Sequence, residues 1–217
     1  VAEGLRERKK RHTREHISAV ATRLFVERGF DQVTVAEVAE AANVSRMTVF
    51  NYFPRKEDLY LDRYEELWEL FTGAIERRAP GESVFDAVRH LLIGMIEQGH
   101  PLSALLDDVH RFWAVVRESE ALRARVRERR EEMEDVLTEV IARETARPPH
   151  DPTARLASAT ICAVLWVAHA EALRRLEAGE RADDIRPDHV QMVNDQFDLL
   201  ASGGLADLGR CAGSPDR

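Results

Sequence analysis

Apolar residues recur at helical period along almost the whole chain. Near its start, Ile17, Val20, Ala21, Leu24 and Phe25 fall at i, i+3, i+4, i+7 and i+8, one stripe that a helix can bury. The pattern predicts a helix from Thr13 to Gly29, where a left-handed residue is wanted. A shorter helix opens at Thr34. Thr34 and Glu37 form a T-x-x-E capping box, and Val33 and Val38 stand where a hydrophobic staple closes. Val35, Val38, Ala39 and Ala42 make its inward face, and Asn43, which tolerates left-handed geometry, stops it. Ser45 caps a third helix, and Pro54 closes it by pushing the preceding residue out of the α region. Two short helices joined by a tight turn and preceded by a longer one make a helix-turn-helix pattern.

The same period continues. It predicts helices over 57–78, 82–98, 102–118, 120–145, 153–177 and from Pro187 to about Leu200, separated by Pro/Gly punctuation such as Pro80-Gly81 and RPPHDP at 147–152. No segment alternates at the period of a strand, so the expected fold is all-α, with about nine helices. The expected organisation is a helix-turn-helix domain with its basic start at 1–56, a helical bundle at 57–205 and a loose, disordered tail at 206–217. The stretch 156–170 is the most apolar, but Ser158, Thr160 and His169 interrupt it, and it reads as too short to span a bilayer.

The third helix, in VSRMTVFNYFPRK, separates into two faces. Val49 and Phe53 are four apart and can pack on the first helix, while Arg46, Met47, Thr48 and Asn51 point away. A guanidinium, an amide and a methyl-bearing hydroxyl suit the major groove: Arg pairs with guanine, Asn with adenine, and Thr or Met meets the thymine methyl. Tyr52, Lys56 and the Thr34 end of the second helix are then placed for phosphates. An exposed helix pair that binds nothing fits the pattern too.

Charge favours the first of these. Residues 1–56 hold 11 Lys/Arg and 7 Asp/Glu, a net of +4, while the rest holds 20 and 32, a net of −12; together they give −8. A basic first quarter on an acidic body implies that only the first quarter approaches a polyanion. The run RERKKR at 6–11 reads either as a frayed terminus or as a basic arm. No apolar stretch follows it, so no secretory signal is expected. Cys162 and Cys211 follow no metal-ligand or redox spacing, which fits a reducing cytoplasm.

The stretch 24–59, LFVERGFDQVTVAEVAEAANVSRMTVFNYFPRKEDL, resembles the DNA-binding domain of the TetR family of bacterial transcriptional regulators. The resemblance covers roughly residues 10–60. It is carried by Phe25…Gly29-Phe30, T-V-x-x-V-A and V-S-x-x-T-x-aromatic-x-Y-F-x-x-K-x-x-L. It implies that Thr34, Ser45, Tyr52 and Lys56 hold the DNA backbone and that Arg46, Met47, Thr48 and Asn51 face base edges. Two positions depart from the family's habit: Phe50 stands where tyrosine is usual, and Met47 where a small residue is common.

The resemblance further implies a homodimer on a palindromic operator, with repression as the common mode, although activation stays open. It also implies release by a small molecule held in the C-terminal domain. The candidate pocket residues are Trp68, Phe71, Met95, His110, Phe112, Trp113, Val116, Met133, Trp166 and His169, each of which also fits ordinary core packing. An acyl thioester or other apolar ligand is the effector class to which the resemblance leans. A dimer face is expected from the apolar helix at 153–177, through Leu165, with Val190, Val193, Phe197 and Leu200 of the last helix; a monomeric bundle is the alternative. A DNA-binding regulator without any small-molecule effector is the second functional reading. The sequence carries no phosphate loop, nucleophile elbow, HExxH or Cys/His cluster, so no cofactor, metal or enzymatic activity is expected.

Overall fold

The computed structural model describes residues 4–202, and the expected tail at 206–217 lies outside them. Among the described residues there are nine α-helices and no strands: α1 (Leu5–Arg28), α2 (Val35–Ala41), α3 (Arg46–Tyr52), α4 (Tyr64–Glu76), α5 (Val84–Glu97), α6 (Val109–Glu118), α7 (Glu120–Glu144), α8 (Pro152–Glu177) and α9 (Ala182–Ala201). A 3-10 turn, Glu57–Leu59, follows α3.

They form two compact units. The first takes the chain up to Glu66 together with His110–Glu131. Its core holds the α1 stripe (Ile17, Ala21, Phe25), Val38 of α2, and Val49 and Phe53 at the inward side of α3. Phe25 and Phe30 pack with ring centroids 4.8 Å apart. Gly29, at φ 85°, lets the chain leave α1 where a side chain at that φ would be strained. The second unit is Leu67–Val109 with the chain from Glu132 onward. There α9 packs on α5 and α8, around Phe71, Leu92, Ile96, Leu137, Ile161, Ile185, Val193 and Phe197. Arg89 of α5 fastens α9 by donating to Asn194 Oδ1 at 2.7 Å and Asp198 Oδ1 at 2.6 Å.

Five expectations about individual segments change. The basic run 6–11 is neither frayed nor separate: it forms the opening turns of α1, which starts at Leu5 and not at Thr13. The expected helix 57–78 is a 3-10 turn and then α4. Asp58, Leu59, Tyr60 and Leu61 are all buried in succession, which no one-faced α-helix can achieve. The expected helix 102–118 shortens to α6, because Leu105 is drawn fully into the core and Ala104 takes a left-handed φ of 62°. The last helix begins five residues before Pro187. Asp107 accepts the Ala182 N–H at 2.7 Å, and Pro187 lies close enough to the helix start to forfeit only one backbone hydrogen bond. Finally, α8 runs for 26 residues and is long and apolar enough to cross a membrane. Its Ala154, Ile161, Val164, Ala168, Ala172 and Leu176 instead belong to the core of the second unit.

Candidate nucleic-acid interface

The start of α2 is built by its capping box. The Thr34 hydroxyl accepts the Glu37 N–H at 3.3 Å and donates to Glu37 Oε2 at 2.8 Å, while the Thr34 N–H donates to the same oxygen at 2.8 Å. Arg28 adds an ion pair to Glu37 at 2.6 Å. The Thr34 N–H, Arg28 and the Thr34 hydroxyl together lower the Glu37 pKa to about 2, so the box stays charged at any physiological pH. The chain then turns at Asn43, with φ 54°, and Ser45 caps α3 by accepting the Thr48 N–H at 3.0 Å. The Ser45 and Thr48 hydroxyls also bond each other at 2.8 Å.

On α3 the two faces separate as the spacing predicts. Val49 is fully buried and Phe53 is 1% exposed, whereas Met47 is 69% and Phe50 48% exposed. Arg46 and Asn51 are exposed as well, and Thr48 and Tyr52 are half-buried. A large thioether and a phenyl ring are thus left in water on a well anchored helix. Lys56 sits differently from the other candidates. Its ammonium donates to the Phe30 carbonyl at 2.6 Å and lies 4.1 Å from the Phe30 ring centroid, and burial lowers its pKa. It ties the end of α3 to the end of α1 and keeps two protons for other acceptors.

Several positioning residues were not marked out by any motif in the sequence. Arg14 donates to the Tyr52 carbonyl at 3.1 Å and to Glu65 at 3.1 Å, and its guanidinium lies 4.7 Å over the Phe53 ring. A cation on the last carbonyls of α3 suits that end of the helix dipole. Asp58 is buried and accepts from two buried arginines of α7, Arg125 Nε at 2.9 Å and Arg129 Nη2 at 3.1 Å. Ser119, which precedes α7, donates to Asp31 at 2.8 Å, and Tyr60 stacks on Phe112 of α6 with centroids 4.3 Å apart. Tyr60 also donates its hydroxyl to the Phe112 carbonyl at 3.1 Å, and burial raises its pKa, so the hydroxyl keeps its proton. These contacts bind the first half of α7 and most of α6 to the helix-turn-helix. Only Arg14 had a usable cue, as the polar position three residues before Ile17 on the buried stripe.

The effector candidates are drawn from both units. His110, Phe112, Trp113 and Val116 belong to the first unit, and Trp68, Phe71, Met95, Met133, Trp166 and His169 to the second. Phe71, Met95, Val116 and Met133 are buried core residues, and Trp166 lies on His169 with centroids 5.6 Å apart. Of the dimer candidates, Val193 and Phe197 are buried in the core of the second unit, while Leu165, Val190 and Leu200 pack half-buried at its edge. The outer surfaces belong to other residues: Leu156 and Val167 on α8 are 67% and 51% exposed, and Met192 and Leu199 line an open groove on α9.

Residues 17–62 match the description "Bacterial regulatory proteins, tetR family", and residues 82–203 match "MftR C-terminal domain". The chain is 33% identical over 143 residues to the HTH-type transcriptional regulator TcmR of Streptomyces glaucescens, covering 64% of this chain and 63% of that protein. It is 43% identical over 86 residues to a putative mycofactocin biosynthesis transcriptional regulator, MftR, of Mycobacterium tuberculosis, covering 40% and 43% of the two. The matched part is thus less than two thirds of the length of either relative. Among solved structures, the Thermus thermophilus repressor FadR in complex with lauroyl-CoA is similar at 27% identity and a TM-score of 0.53, over 94% of this chain and 100% of that one. NalD of Pseudomonas aeruginosa shares the fold at 19% identity and a TM-score of 0.55, over 86% and 97%.

Proposed function

The chain belongs to the tetR family of bacterial regulatory proteins, and from that premise we propose that it is a transcriptional repressor that binds a two-fold operator as a homodimer and is released by an acyl-thioester effector. The carrying observation is α3. Its inward residues are fully committed to the core, while Arg46, Met47, Phe50 and Asn51 stand exposed on a capped, clamped helix. Arg46 and Asn51 supply the bidentate readers of guanine and adenine, and Met47 supplies a methyl contact for thymine. Met47 and Phe50 make this surface more apolar than the family's habit, so the operator it selects is expected to place thymine methyls against them.

One α3 reads only a few base pairs, so useful specificity needs two copies about 34 Å apart, one turn of DNA. The outer face of α8, with Leu156 and Val167 exposed, supports a second copy as the missing neighbour. The similarity to a lauroyl-CoA-bound repressor supports the effector class. Such a ligand must bind one dimer geometry more tightly than the other, drawing the two α3 helices off the DNA spacing. The site of action is the bacterial cytoplasm, where the operator lies.

Selection of bound duplexes from a random DNA pool tests the reading. The expected result is an inverted repeat with half-site centres one helical turn, or a whole number of turns, apart; no enrichment of any sequence would sink it. Lauroyl-CoA, but not free CoA, should raise the melting temperature and release the selected duplex. If neither thioester nor free CoA shifts the melting curve while DNA binding persists, the effector class is wrong and the regulator reading stands.

A further inference from the structure

We propose that Met47 and Phe50 read the C5-methyl groups of pyrimidines, so that methylation of cytosine within the operator strengthens binding as the methyl of thymine does. This deepens, and rests on, the reading of α3 as the recognition helix. Met47 and Phe50 are three apart and share one face of α3, where they are 69% and 48% exposed. That face cannot be turned inward. Val49 and Phe53 fill the core behind it, Ser45 caps one end of the helix, and Arg14 holds the Tyr52 carbonyl at the other, at 3.1 Å. Rotating α3 to bury Met47 and Phe50 would bring Val49 and Phe53 into water, so the apolar pair stays outside.

The surroundings select what meets it. Residues 41–56 contain no Asp or Glu, so no acid on α3 or its flanking turns repels a polyanion. Arg46 lies four residues before Phe50, and Met47 four before Asn51, so each apolar side chain stands one turn from a base reader. In the major groove, the apolar group beside a base edge is the C5 methyl of thymine. Phe50 has no hydroxyl to direct at a phosphate, and the flexible thioether of Met47 moulds to small apolar groups. The methyl of 5-methylcytosine projects into the groove from the same ring atom as that of thymine. Cytosine carries only a hydrogen there and leaves the two side chains facing a gap. Filling the gap removes apolar surface from water without disturbing any hydrogen bond to the base.

The test scans one half-site of the duplex recovered by selection, with the full chain. At each pyrimidine position thymine is compared with deoxyuridine, both paired with adenine, and 5-methylcytosine with cytosine, both paired with guanine. At one position or more, both methylated forms should bind about fourfold tighter than their unmethylated partners, the worth of one buried methyl group. In Met47→Ala/Phe50→Ala both ratios should fall to unity, with the melting temperature of the wild type, since both side chains are exposed. Ratios of unity at every position in the wild type overturn the proposal, as does a methyl preference that survives in the double variant. A preference for thymine over deoxyuridine with none for 5-methylcytosine over cytosine also overturns it, because the methyl group would then not be what is read. If the wild-type chain selects no duplex at all, the recognition-helix reading fails first, and that outcome is distinct from the others.

Discussion

Asp58 illustrates how much depends on single side chains that follow α3. Its carboxylate is the shared partner of Arg125 and Arg129, all three being buried, with Glu128 and Glu65 adding outer contacts at 2.9 and 3.8 Å. Removing one member of a buried ion cluster leaves uncompensated charge, so Asp58→Ala is expected to cost about 3–5 kcal/mol of stability, read from urea denaturation. A loss below about 1 kcal/mol would mean that the arginines reach water or other acids without cost. His169 gives a prediction in pH. Burial, with a smaller contribution from His189, lowers its pKa from 6.5 to about 4. His189 is itself lowered, mainly by burial, with Arg175 in the same direction and Glu171 opposing. Between those pH values the unfolded chain binds more protons than the folded one, so this stability is complete above pH 6.5 and drains as pH falls towards 4. Melting temperatures of His169→Gln should therefore decline less across that window than those of the wild type; parallel profiles would contradict the assignment.

At the scale of elements, the helix-turn-helix was legible because its signals are local. A capping box, a left-handed asparagine, an N-cap serine and a terminating proline lie within a few residues of what they control, and each is found in that role. The elements misjudged from sequence depend on distant partners. The turn after α3 is 3-10 rather than α-helical where α7, some 67 residues on, supplies Arg125 to a buried Asp58. The start of α9 needs Asp107, 75 residues earlier, to accept its first N–H. Likewise, the basic opening of α1 has no stripe of its own and is fixed by Arg14 reaching across to Tyr52. Periodicity reports burial on one face, and it is silent wherever an element is held by ends or by charge.

For the whole molecule, the question is what covers the outer face of α8. An exposed Leu156 and Val167 on the same helix, beside a largely apolar row, are expected to meet a second copy. Val167→Glu should then yield a folded monomer by sedimentation at micromolar concentration, with a melting temperature that no longer rises with protein concentration and loss of affinity for the two-fold duplex. A dimer that survives the substitution would move the interface elsewhere. The sequence determined the helical class, the helix-turn-helix and the division of α3 into a buried and an exposed face, since all of these follow from spacings shorter than one helix. It also located the basic charge in the first quarter. Only the tertiary structure decided that Val193 and Phe197 are buried in the chain's own core and that Lys56 is a strut on Phe30. The same holds for the placing of α6 residues and half of α7 with the helix-turn-helix unit. The physical reason is that one amphipathic pattern states which side is buried but not against what. The partner is chosen by packing and ion pairs between residues far apart in the chain.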